Sequence, residues 1–529
     1  MKESEIFINQ VGYKPNDSKN VLVSLNAKGE ENEFVVYQKN KGKTDDQVVF
    51  TGALVAAPED EQSGGGYFTG DFSAIKTDGN YYIRVGENQS FDFKISENVY
   101  NDVALSTLKY FTDSRCGQGI CHTGIAEVYG TGEKKNVQGG WHDAGDYGRY
   151  VVAGTKAIMD MLLAYKKCPE KFTDFDLLDE VRFELEWLLQ MQREDGAVYH
   201  KISCYHFCAF IMPQDEKDQL VLAPVSTAAT ADFAGCLAYA SGFYKESDSD
   251  FADRLFAAAL KAQTYLFSHD DELYINPPEI TTGGYGDRDV RDERYFAFCS
   301  LYAATGDVNY LNHALKIRED KKKDEPDPKH PWNCGWQEGF GWPFVAGYGT
   351  EILLELAGRS EGKISADLIS EIHTCIISQA EKYLETANGS AFKYCSKFVF
   401  WGSNGAICDV AHILLMAYDI TGRKDFFNAA KAQIDYILGC NPVNYCYITG
   451  AGSKPVVHPH HRPSGASKKV YPGMLSGGPC AALIDEYAKE HLAGQPPLKC
   501  FADAEPSYST NEVAIYWNSA FVYLLTRVR

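Results

Sequence analysis

No stretch of the chain approaches the roughly 18 consecutive apolar residues of a membrane span. The first residues, MKESEIFINQVGYKPND, lack the basic opening and the apolar run of about 7–15 residues that a signal peptide carries. Low-complexity tracts are also missing. Positive charge is scarce: 51 Lys and Arg stand against 72 Asp and Glu, a formal net charge of -21. That balance argues against phosphate backbones and anionic membranes as partners, since both demand a positive face. A neutral substrate fits better. The 15 cysteines are odd in number and lie in a large chain, which argues against a secreted disulfide framework. The expectation from these absences is a cytoplasmic protein with reduced thiols, although a secreted chain trimmed of its leader gives the same reading. Nothing calls for nucleic acid, a membrane or an obligate protein partner.

At 529 residues the chain exceeds one ordinary core, so two domains are expected. From about Glu5 to Ile95 the pattern is that of strands. NVLVSL, EFVVYQK, YFTGDF, NYYIRVG and SFDFKI are short, aromatic and β-branched, and Gly, Asn and Asp punctuate them. Residues 1–97 are therefore expected to form a small immunoglobulin-like β-sandwich. After about Val99 the period changes. GTKAIMDMLLAYKK, LLDEVRFELEWLLQMQ, FADRLFAAALKAQTYLF and FFNAAKAQIDYILG carry apolar residues at i, i+3, i+4 and i+7. About a dozen such helices alternate with long Gly-, Pro-, His- and Trp-rich segments. Residues 98–529 thus suit an all-α toroid or solenoid whose loops build a site at one end.

Three stretches carry chemistry. GGWHDAGDYGRYVV places Asp143 and Asp146 three residues apart on a glycine-bearing loop before a helix. Carboxylates so close repel unless one is neutral or they share a water, and a shared water can be oriented and deprotonated. The competing reading is a helix-capping Asp with a turn Asp. YSTNEVAIYWNSAF sets Glu512 at an apparent helix start among Val513, Ile515 and Trp517. Apolar surroundings favour the protonated carboxyl that a general acid needs, while a Glu favoured by the helix dipole is the structural alternative. GSKPVVHPHHR, from Gly452 to Arg462, is rigid and donor-rich, suited to gripping hydroxyls or, alternatively, a metal ion.

Together these stretches resemble glycoside hydrolase family 9. Its pattern G-x-[NKR]-x4-P-H-x-R is met by Gly452, Lys454, Pro459, His460 and Arg462, its DAGD block by residues 143–146, and its N-E-[VI]-A block by Asn511–Ala514. HK at 200–201, PVSTAATADF at 224–233, WGSN at 401–404, GCNP at 439–442 and an early NQVGY extend the likeness over the whole chain. The resemblance implies an (α/α)6 barrel behind the sandwich and inverting cleavage of β-1,4-glucosidic bonds in cello-oligosaccharides or soluble β-glucan. It makes Asp146 the base, Asp143 its partner in holding water, Glu512 the acid, and His460 and Arg462 binders of the sugar beside the scissile bond. The alternatives are an exo-acting β-glucosidase or β-glucosaminidase, and a non-catalytic sugar-binding protein on the same scaffold.

Aromatic platforms for sugar rings are expected from Trp336, Trp401 and Tyr508. Cys116, Cys121, His122 and His142 have the donor set of a closed tetrahedral zinc site, with reduced core cysteines as the alternative on spacing alone. The resemblance favours structural zinc, although the segment between Cys116 and Cys121 is shorter than in relatives. Asp287, Asp289, Asp292 and Glu293 offer oxygens for calcium, while Arg288, Arg291 and Arg294 offer them salt bridges instead. No organic cofactor is called for.

Overall fold

The computed structural model describes residues 5–40, 46–117, 124–324, 339–357 and 364–529. The expected fold class is observed: a small β-sandwich precedes a largely helical region. One sheet runs Ile6–Phe7, Asn20–Ser24, Tyr67–Asp71, Val55–Ala56. The other runs Gly12–Tyr13, Phe93–Ile95, Gly79–Val85, Glu33–Gln38, Gln47–Ala53, with Asn88–Gln89 turned back on Gly79–Val85. Alternation puts Phe34 and Val36 inside, where Tyr13 meets Phe72 and Phe93 edge-to-face at 5.4 and 5.6 Å. Gly12 is required: its φ is +132°, and a Cβ would lie 1.9 Å from the carbonyl oxygen of Lys94, its neighbour in a parallel pairing. Gln47–Ala53 escapes the sequence reading because it lies at a sheet edge and is largely exposed, so it lacks a buried face.

The chain divides into two compact units, Met1–Tyr110 with Ala380–Arg529, and Phe111–Gln379. In the second, helices Val151–Lys167, Thr227–Tyr244 and Arg291–Thr305 pack in succession, and each is followed by a partner: Leu177–Gln190, Ser249–Ser268 and Val308–Asp324. Leu177–Gln190 and Ser249–Ser268 have the one-sided apolar stripe that periodicity detects. Thr227–Tyr244 is buried on nearly every face, so it has no stripe to detect. This unit also holds a five-stranded sheet, ordered Lys134–Asn136, Ile125–Val128, Leu220–Leu222, Lys201–Cys204, Arg149–Tyr150. The sequence reading, all-helical here, misses it because its strands are only two to four residues long.

In the first unit, helices Ser403–Thr421, Lys424–Ile437 and Ile515–Val528 pack together, and the sandwich is tied to Lys424–Ile437 and to the loops after it. Asn9 donates to Asp435 at 2.9 Å, and Lys431 bonds the same carboxylate. Gln10, 4% exposed, donates to the Asn444 carbonyl at 2.9 Å and accepts from the amides of Ser453 and Lys454 at 3.1 and 2.8 Å. No helix among the described residues is long and apolar enough to cross a membrane. Gln10→Ala deprives these groups of partners in a largely dry site, so it should destabilise the protein by about 1–3 kcal/mol. A lower urea midpoint reads this out, and an unchanged midpoint would contradict the account.

Candidate active site

The loop carrying Asp143 and Asp146 is held from behind. Gly139 and Gly140 have positive φ, and a Cβ on Gly140 would lie 2.6 Å from the Trp187 indole. Two buried glutamates of helix Leu177–Gln190 then clamp Trp141: its backbone N–H donates to Glu184 at 2.6 Å and its indole N–H to Glu180 at 2.9 Å. Arg115 pairs with Glu180 at 2.8 Å, and the buried Arg149 donates to the Gly139 carbonyl. The capping alternative fails, because helix Val151–Lys167 starts after Tyr150 and no side chain caps it.

The two aspartates sit differently. Asp143 is 1% exposed and accepts from the Tyr285 hydroxyl at 2.5 Å, while its other carboxyl oxygen has no hydrogen-bond partner. Burial pushes its pKa well above the usual carboxylate range; the Tyr285 bond opposes this and the charge of Asp146 adds to it. Asp146 accepts from the Gly148 amide at 3.0 Å and from the Tyr150 hydroxyl at 3.5 Å. It borders a hollow of about 10 Å³, room for about one water molecule, with Ser203, His206, Phe207 and Thr282. A carboxyl that burial pushes toward its neutral form, beside a second carboxyl that borders water-sized space, is suited to activating water.

Tyr285 is a residue that the sequence reading misses. It has φ +50°, unusual for a tyrosine, and its ring lies 4.6 Å from Tyr150 and 4.9 Å from Trp342. The only sequence signal is an aromatic residue flanked by glycines in TTGGYGD.

In the other unit, Glu512 corrects the sequence expectation of a helix start. It is half-buried on an extended segment after the turn Tyr508–Asn511, and the long helix begins only at Ile515. Its segment bridges in parallel to His460, with the His460 amide donating to the Asn511 carbonyl at 2.9 Å and the Gly477 amide to the Glu512 carbonyl at 2.7 Å. Trp401, Tyr508 and His460 follow one another beside it, with ring separations of 5.2 and 6.0 Å. Arg462 opens the short helix Arg462–Ser467. Asp503, also missed, accepts from the amides of Val457 and His458 and from Asn511, which pins the histidine loop to the glutamate segment.

Trp336, Cys121 and His122 lie outside the described residues. Cys116 and His142 stand on paired backbone segments, with Cys116 N–H to Gly140 and His142 N–H to Ser114 both at 2.8 Å. Among the carboxylates considered for calcium, Asp289 is engaged by Arg291 and Lys321, each at 2.7 Å. Burial pushes the carboxyls of Asp232, on Thr227–Tyr244, and Glu293 well above the usual carboxylate range, and the charges of Asp292 and Asp287 add to both shifts. Both carboxyl oxygens of Asp232 and one of Glu293 are buried without hydrogen-bond partners. Among the described residues, no group of three or more His, Cys, Asp or Glu is already arranged to hold a metal ion.

The family model for glycosyl hydrolase family 9 matches residues 100–525, and that for a cellulase N-terminal ig-like domain matches residues 1–90. A cellodextrinase of Butyrivibrio fibrisolvens is 34% identical over 99% of both chains. The crystal structure of a thermostable endoglucanase single mutant from Alicyclobacillus acidocaldarius superposes with a TM-score of 0.89 at 32% identity, covering 99% of each chain. A Zn-binding triple mutant of the family 9 endoglucanase J30 gives 0.88 at 28% identity, covering 97% of this chain and 99% of that one.

Asp143 generates a pH-dependent prediction. Its raised folded pKa means that the unfolded chain gives up its proton first, so its contribution to stability falls as pH rises above the unfolded value of about 3.9. Asp143→Asn should therefore raise Tm at pH 7, with the gain fading toward pH 4. Calorimetry of both proteins at the two pH values tests this; equal shifts at both would contradict it.

Proposed function

The chain belongs to glycosyl hydrolase family 9, and from that premise we propose that it cleaves β-1,4-glucosidic bonds in cello-oligosaccharides or soluble β-glucan with inversion at the anomeric carbon. Asp146 is the base that takes a proton from water, and Asp143 helps to hold that water. Glu512 protonates the leaving oxygen. His460 and Arg462 grip the hydroxyls of the sugar beside the scissile bond, and Trp401 and Tyr508 offer faces to sugar rings. The observation that carries the assignment is the asymmetry of the aspartates: Asp143 is sealed and bonded to Tyr285, whereas Asp146 borders a water-sized hollow. The ring sequence Trp401–Tyr508–His460 beside Glu512 supports a pyranose substrate.

Two metal ions belong to the same proposal as structural supports. Zinc would be held by Cys116, Cys121, His122 and His142, a donor set that fills a tetrahedral site and leaves no position for chemistry. The pairing of the Cys116 and His142 segments supports it. Calcium would be held by Asp287, Asp292 and Glu293 together with Asp232, in place of Asp289; the buried oxygens without partners support this set, which must close in to ligate one ion. We assign residues 1–97 to the sandwich and 98–529 to the catalytic domain, on the junction between the last strand at Ile95 and the helix starting at Asn101. The described cysteines are all free thiols, which supports a reducing, cytoplasmic setting and short imported oligosaccharides as substrate.

Proton NMR of fresh hydrolysate should show the α-anomer first, and β-anomer as first product would refute inversion. Glu512→Gln should lose about 10²–10⁴-fold in kcat on cello-oligosaccharides, whose leaving hydroxyl needs protonation, and far less on an activated aryl glycoside. Equal losses on both substrates would overturn the role of Glu512.

A further inference from the structure

Lys201 is fully buried, yet none of its ammonium's hydrogen bonds goes to a carboxylate. Nζ donates to the Thr282 hydroxyl at 3.0 Å, the Gly283 carbonyl at 2.5 Å and the Thr282 carbonyl at 3.3 Å. It also lies 5.5 Å from the centre of the Tyr150 ring, Tyr150 being its cross-strand partner. A buried charge without a bonded counter-charge is costly, and a methionine would fill similar space without that cost. The stem alone does not explain a lysine here.

What the ammonium holds does. The backbone that it bonds, Thr282–Gly283, leads directly to Tyr285, whose hydroxyl donates to Asp143. The ring that it underlies, Tyr150, reaches Asp146 with its hydroxyl. The same stretch is secured by Ser203 against the Thr282 hydroxyl at 2.8 Å, by Asn276 donating to the Thr282 carbonyl at 2.6 Å, and by His200 at 3.0 Å from the Gly284 carbonyl oxygen. Of these groups only the lysine touches both routes.

We propose that Lys201 is a positioning residue for the water-activating pair, fixing Tyr285 on Asp143 and Tyr150 on Asp146 through one buried ammonium. The inference rests on the reading of Asp143 and Asp146 as that pair. Burial lowers the pKa of Lys201 to about 7, and the charge of Asp146 opposes the shift, so the ammonium's charge is linked to that carboxylate. Lys201 itself need not touch substrate. Its loss should let the two tyrosines, and with them the carboxyls, drift from the attack geometry while sugar binding elsewhere is kept.

The test compares Lys201→Met, Thr282→Val and Asp146→Asn in the full chain, with kcat and KM measured on a cello-oligosaccharide and Tm measured for each. Lys201→Met should keep or raise Tm and leave KM within about twofold, and it should lower kcat roughly 10- to 100-fold. Thr282→Val removes one acceptor and leaves the charge, so its kcat should fall less, again at constant KM. A folded Lys201→Met with kcat within twofold of the parent overturns the proposal. If that variant does not fold, Thr282→Val decides: reduced kcat at constant KM supports the proposal, and unchanged kcat overturns it. Asp146→Asn separates the two levels. Should it retain near-parental kcat, the assignment of the water-activating pair has failed. Should it abolish turnover while Lys201→Met is unaffected, only the role of Lys201 has failed.

Discussion

The hold of two buried glutamates on one tryptophan is the interaction on which the loop of Asp143 and Asp146 depends. Glu180 and Glu184 project from one face of helix Leu177–Gln190, one turn apart, and take both N–H groups of Trp141. Their charge is met by Arg115 on the Glu180 side and, across the loop, by Arg149, whose charge offsets the burial that raises the Glu184 carboxyl. Trp141 lies two residues before Asp143 and Arg149 three after Asp146. The clamp therefore fixes the loop at both ends before any residue of the site is considered. Breaking such a buried network by removing one partner leaves a charge without compensation, far costlier than never having built it.

The site has been assembled from unfavourable choices. Asp143, Glu184, Asp232 and Glu293 are all carboxyls that burial pushes toward the neutral form. Lys201 is a cation that burial likewise pushes toward its neutral form. Each sits in the unit that carries Asp146. The helices pack around this inclusion: inner helices buried on nearly every face hold polar groups where the solvent cannot relax them. Fixed polar groups of this kind are what a reaction with developing charge uses.

Legibility in the sequence followed the range of the interactions. DAGD, the PHHR loop and NEVA were readable because their chemistry is packed into a few consecutive residues with Gly and Pro around them. Helices Leu177–Gln190 and Ser249–Ser268 were readable because their exposed faces impose a period. Helix Thr227–Tyr244 and the five-stranded sheet were not, one for want of an exposed face and the other for want of length. Tyr285 and Asp143 are 142 residues apart, so no local pattern joins them. Asp289 lies in an oxygen-rich run, but Lys321, 32 residues later, bonds it, and no local pattern joins Asp232 to Asp292 and Glu293. The motif marks Glu512, but its setting is not legible, since Ser-Thr-Asn reads as a helix start and forms only a single turn.

The Gln10 side chain makes the junction between sandwich and helices misleading as a place to cut or splice. By sequence, residues 96–100 are a tidy seam between two modules. By hydrogen bonding, the seam runs elsewhere, through a glutamine that enters the loops from Asn444 to Lys454 and occupies the space that side chains on Gly439 and Gly452 would need. A foreign sandwich grafted at residue 97 would preserve chain continuity and leave the Ser453 and Lys454 amides dry. Exchange of the sandwich in this chain is thus constrained by a residue near its start.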